Sequence, residues 1–104
     1  MTRGEVWLVN LDATVRREIR KTRPCVVVSP AEMHDHLKTV MVAPTTKGRP
    51  APFRVAVTHA GKKGLILLDQ MRTLDKIRLV KKTGAVSPQT LTSVLNTLQE
   101  IFTE

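Results

Sequence analysis

A small, strongly bent antiparallel sheet or barrel, mainly β with helices added (α+β) and finished by a C-terminal amphipathic helix, is the fold class this sequence predicts. Three observations predict it. Five or six short apolar or β-branched runs follow one another before residue 87, each bounded by polar, Gly or Pro punctuation. Only the last segment repeats its apolar residues at three- and four-residue steps. The 104-residue chain is 41% hydrophobic and 25% charged, near the globular average, with no repeat and no linker, so residues 1–104 read as one domain.

Glu5–Leu11 (EVWLVNL), Cys25–Ser29 (CVVVS) and Thr39–Ala43 (TVMVA) are the first three predicted strands. Phe53–Val57 (FRVAV) alternates, which places Phe53, Val55 and Val57 on one face of a fourth. After the turn-like HAGKKG, the unbroken apolar run Gly64–Leu68 makes a fifth. A sixth spans Leu79–Val86, where Lys81 and Lys82 mark an edge or a solvent-facing stretch. Ser87 can cap a helix with Pro88 at its first position, and Leu91, Val94, Leu95, Leu98 and Phe102 then form one apolar stripe. Two connections are longer than hairpin turns, Asp12–Thr22 and Pro44–Pro52, and long loops in a small domain are where function concentrates.

Charge narrows the partners. Seventeen Lys and Arg against nine Asp and Glu give +8, a field that attracts polyanions such as nucleic acid or anionic lipid. Trp7, Phe53 and Phe102 are the only aromatics, too few to stack successive bases, so binding has to lean on phosphates and shape. No apolar run approaches the roughly 20 residues that cross a bilayer, and Glu5 and Asn10 interrupt the start where a signal peptide needs an apolar stretch. A cytoplasmic protein without a membrane partner is expected.

The field is concentrated in the first long loop. Arg16–Arg23 holds five basic residues and one acid, a local +4, and Arg16, Arg17, Arg20 and Lys21 read either as a phosphate-binding cluster or as a solvated basic loop. Glu18 is the sharper feature: a carboxylate among arginines stays ionised and ready to accept a proton, or simply pairs with Arg17 or Arg20. Arg23, placed before Pro24 and a strand, is held by strand geometry, which suits either a charge-stabilising guanidinium or a structural one. Thr45, Thr46, Lys47 and Arg49 bring hydroxyls and cations between Pro44, Pro50 and Pro52, a composition that fits a phosphodiester site and equally any exposed loop.

Other chemistries find no footing in the sequence. Cys25 is the only cysteine, so an intrachain disulfide or a cysteine-based zinc site is excluded, and within CVVVS it reads as a buried hydrophobe. His34 and His36 in HDH are spaced so that one helical face cannot present both imidazoles, and His59 is distant; neither a metal nor a cofactor is expected. GxSxG and GxxxxGK[ST] are both missing.

The order GEVWLVNLD, then E-x-x-x-x-RP with CVVVS, VAPTT, PFRV and GLILLDQMRTLDKIRLVKK resembles the MazF/PemK type of toxin over almost the whole chain. That resemblance implies an SH3-like barrel and metal-independent cleavage of single-stranded RNA by a homodimer that an acidic antitoxin silences. It implies catalytic roles for Glu18, Arg23 and Thr46, with Arg16, Arg17, Arg20, Lys21, Thr45, Lys47, Arg49, Phe53, Asp69 and Gln70 on the substrate side. Asp69 falls where some members use an acid in catalysis and others a structural pair, and Arg72 would hold the loop or the dimer. The chain departs from the family's D-P-T-x-G-x-E: Ala13 replaces the proline, Arg16 the glycine, and Arg17 stands where some members carry a small residue or a histidine. A non-enzymatic nucleic-acid-binding module and a gyrase-poisoning toxin on the same barrel are the alternative functions.

Overall fold

A computed structural model describes residues 1–11 and 22–104. Its strands are β1 (Glu5–Asn10), β2 (Thr22–Val27), β3 (Thr39–Thr46), β4 (Arg54–His59), β5 (Lys62–Leu67), β6 (Arg72–Asp75) and β7 (Leu79–Ala85). Helix α1 (Ala31–His36) precedes β3, helix α2 (Pro88–Ile101) follows β7, and single 3-10 turns at Leu68–Gln70 and Lys76–Arg78 flank β6. The strands run in the order β4-β5-β3-β2-β1-β7, all pairs antiparallel, with β6 a further partner of β3.

The bend comes from β3. Its Thr39–Val42 stretch pairs with β6, while Thr45 and Thr46 pair with β5, so one strand serves two diverging neighbours on the same side. Pro44 falls in the gap between those pairings, where its missing N–H costs no ladder bond on that side. The sheet then curls until its two ends meet: His59 of β4 lies 3.0 Å from the Thr83 hydroxyl of β7. The expected bent antiparallel sheet with a C-terminal helix is what forms, in the shape of a half-barrel.

Alternation along the strands gives the sheet two apolar faces. The inner one gathers Val6, Val26, Val28, Ala43, Val57, Ile66 and Leu68, and α2 covers it with Val94. The outer one gathers Val9, Cys25, Val27, Val40, Val42 and Leu74, with Trp7, Leu11 and Leu79 packed around it. At about 1.5–3 kcal/mol for each fully buried aliphatic side chain, these two layers supply the main drive for curling. Helix α2 begins as its residues require, with the Ser87 hydroxyl accepting from the Thr90 N–H at 3.1 Å and Pro88 directly after it.

Several boundaries differ from expectation. β2 starts at Thr22 and ends at Val27, because Thr22, Arg23 and Pro24 find partners in Asn10, Val9 and Leu8 of β1. β3 runs three residues past Ala43, so Thr45 and Thr46 are strand residues rather than loop residues. Phe53 does not share a strand face with Val55 and Val57. It precedes β4 in a turn closed by the Arg54 N–H on the Ala51 carbonyl, where Pro52 precedes a residue of positive φ (65°), and it is 44% exposed. Helix α1, β6 and the two 3-10 turns were not expected: each is six residues or fewer, too short for a period to show. The HAGKKG signal resolves into a two-residue hairpin turn, Ala60 and Gly61 both at positive φ.

Candidate functional site

Arg23 and Thr46 come from different strands and arrive on one face. β2 and β3 pair Cys25 with Pro44 and Val27 with Val42, and Arg23 and Thr46 lie two residues beyond the Cys25–Pro44 pair, each at the open end of its strand. Alternation puts Arg23 on the side of Cys25 and Val27, and Thr46 on the side of Val40 and Val42, which is the outer face in both cases. Pairing with Val9 fixes Arg23 at its backbone while its side chain stays exposed. A guanidinium and a hydroxyl so placed can both donate to the oxygens of one phosphodiester.

Beneath them lies Cys25, fully buried. Burial pushes its thiol up to about 12, a rise that the nearby Arg23 and Arg72 guanidiniums only partly offset. The thiol is therefore no nucleophile, in keeping with its reading as a core hydrophobe.

Thr45 is turned to other work. Its hydroxyl donates to the Pro24 carbonyl at 2.9 Å, tying β3 to β2 where the strands separate. With Thr46, which borders both faces at the strand end, and Lys47 it forms one lip of a cleft of about 400 Å³, floored by Leu8, Val26 and Val57 and edged opposite by Lys62 and Lys63. Lys47 and Arg49 are exposed beyond the end of β3, and Phe53 stands in its turn nearby in sequence.

Asp69 is already engaged. Arg54 grips it with two bonds, Nε to Oδ1 and Nη2 to Oδ2, each 3.2 Å, and this pairing holds the carboxyl below the usual aspartate range. Gln70 is exposed beside it in the same 3-10 turn. Sequence reasoning missed Arg54, which lies fifteen positions away; only the hairpin register, which sets Arg54 opposite Leu67, brings it there.

It also missed Glu5. This buried carboxylate accepts from the Thr2 hydroxyl (2.8 Å) and the Trp7 indole N–H (3.0 Å) and pairs with Lys82 (3.1 Å). Burial alone would raise its pKa, yet these partners together bring it down to about 2. His34 is buried with its ring 2.5 Å from the Ser29 hydroxyl, whereas His36 is exposed. Arg16, Arg17, Glu18, Arg20 and Lys21 lie outside the described residues.

The chain matches the family model described as PemK-like, MazF-like toxin of type II toxin-antitoxin system, over residues 2–102. It belongs to that family. Among the family's relatives, Endoribonuclease PemK of Escherichia coli is 37% identical over 110 residues, spanning 99% of this chain and 83% of the relative. The crystal structure of MazF from Deinococcus radiodurans superposes with a TM-score of 0.79 at 25% identity, covering 97% of this chain and 94% of that one. An endoribonuclease from a mycobacterial species, in complex with its cognate antitoxin, has the same fold at 24% identity, with a TM-score of 0.81 over 96% of this chain and 92% of that one.

Proposed function

We propose that this member of the family is an endoribonuclease toxin that cuts single-stranded RNA at short sequence motifs, works as a homodimer, and is silenced by an acidic antitoxin. What supports the reading is the conjunction of a family match across residues 2–102 with Arg23 and Thr46 on one sheet face.

The chemistry follows from what those groups can do. The substrate supplies the nucleophile: its 2′-hydroxyl attacks the adjacent phosphorus, the bond to the 5′ oxygen breaks, and a 2′,3′-cyclic phosphate and a 5′-hydroxyl remain. Glu18 takes the 2′ proton, and the departing 5′ oxygen gains one from water. Arg23 and Thr46 donate to the non-bridging oxygens as charge builds there. Arg23 acts as a stabiliser and keeps its own proton, since a guanidinium holds it far above neutral pH. Charge compensation by these donors makes the reaction independent of a metal ion.

The test pairs an RNA oligonucleotide with its 2′-O-methyl twin in excess EDTA. Cleavage of the RNA alone, leaving a cyclic phosphate, is the expected result. Cleavage of both strands, or of neither until magnesium is added, overturns the mechanism. Salt-dependent binding without any cleavage would leave a binding module instead.

A further inference from the structure

We propose that Arg72 is a second phosphate-binding residue, gripping the phosphate next to the one that Arg23 engages. This rests on the endoribonuclease reading above. β6 pairs with β3 so that Arg72 stands opposite Val42, and strand alternation then assigns Arg72 to the outer face, with Val42, Cys25, Arg23 and Thr46. Arg72 is exposed, and neither it nor Arg23 has an ion pair with an acid among the described residues. Both guanidiniums are close enough to the Cys25 thiol to act on it electrostatically, so their fields overlap above Cys25. Two like charges on the same face, neither paired with an acid among the described residues, form a site for an anion that carries more than one charge.

The register also says why the two do not share one phosphate. Arg23 belongs to the row of Thr46 and Arg72 to the row of Val42, four residues apart along β3, about 13 Å at roughly 3.3 Å per residue. Two strand gaps of about 4.8 Å separate them crosswise. The two offsets combine to about 16 Å between Cα atoms, and because side chains stand roughly perpendicular to a sheet, each guanidinium meets its own phosphate of the strand. Arg72 therefore binds and aligns the RNA, while Arg23 faces the reacting centre.

Steady-state cleavage of an RNA oligonucleotide carrying the enzyme's own site separates these roles. For Arg72→Met we expect KM to rise about tenfold or more, kcat to stay within about threefold, and the slope of log KM against log salt to fall by about 0.7, the value of one single-strand phosphate contact. Arg72→Lys keeps a charge and is expected to recover most of the loss in KM and the full salt slope. A series of oligonucleotides with one neutral methylphosphonate each locates the contact. One position beside the cleavage site should weaken binding by wild type and have no further effect on Arg72→Met. An unchanged KM, a kcat loss as large as that of Arg23→Ala, or full methylphosphonate sensitivity retained at every position overturns the inference while wild-type cleavage leaves the endoribonuclease reading standing. If wild type cleaves no RNA, both fall.

Discussion

Arg54 and Asp69 face each other in a two-pronged ion pair, Nε on Oδ1 and Nη2 on Oδ2, both at 3.2 Å, that ties the start of β4 to the turn leaving β5. A carboxylate so occupied, with its pKa held low, is a poor proton acceptor near neutral pH. Asp69→Asn is therefore expected to slow RNA cleavage by less than about tenfold and to leave the acid limb of the pH–rate profile in place. A loss of about 100-fold, or a shifted limb, would add Asp69 to the catalytic set.

Glu5 gives the molecule its acid sensitivity. Its pKa is about 2 in the folded chain against an ordinary 4.5, so the carboxylate contributes stability that is complete above about pH 4.5 and fades as pH falls towards 2. At 1.36 kcal/mol per unit the contribution is about 3 kcal/mol at neutral pH. Glu5→Gln should lower the unfolding free energy at pH 7 by up to that amount, with the gap to wild type closing across the same acid window. Urea titrations at a few pH values measure it, and a gap that does not depend on pH would show that the Thr2, Trp7 and Lys82 contacts act on an uncharged group.

The edge-to-edge closure of the half-barrel depends on a glycine. Thr83 Oγ1 donates its one proton to the Val6 carbonyl at 3.2 Å, so the 3.0 Å contact with His59 must be Nε2–H donating to Thr83. A Cβ on Gly84, whose φ is +155°, would lie 2.8 Å from His59 Cε1. Gly84→Ala should cost about 1–3 kcal/mol, as overpacking does. Removing the ring in Gly84→Ala/His59→Ala should give back part of that loss, so the two substitutions would be less than additive in thermal unfolding. Strict additivity would mean that the ring moves aside freely.

The elements legible in the sequence were those whose side chains repeat over enough residues to show a period. β1, the β4–β5 hairpin and α2 are of that kind: apolar residues recur at strand or helix spacing, and a turn or a cap marks an end. β6 and α1 offer four and six residues, and their identity is decided by contact, β6 by β3 and α1 by the burial of His34 on Ser29. For the site, strand order made Arg23 readable as a rigidly placed cation. That it shares a sheet face with Thr46 could not be read, because β2 and β3 are joined through a helix and only the pairing of the two strands relates their faces. Arg54 stayed hidden for the same reason, since its partner comes from across a hairpin, and of Glu5's partners Lys82 is brought by β7 while Thr2 and Trp7 are sequence neighbours.

The strongest demand falls on Glu18 and Arg23. If the carboxylate takes the 2′ proton and the guanidinium meets charge that grows only as the phosphorane forms, each acts on the barrier far more than on binding. Glu18→Ala and Arg23→Ala are each expected to lower the single-turnover rate by roughly 100-fold or more while RNA affinity stays within about tenfold. For Glu18 the loss should shrink at alkaline pH, where hydroxide can remove the 2′ proton; for Arg23 it should not, because no solvent species replaces a fixed fork of donors. The two variants thus separate by the slope of rate against pH, measured on one oligonucleotide under single-turnover conditions. Parallel slopes, or activity retained in either variant, would remove that residue from the chemistry and leave it a place in RNA binding alone.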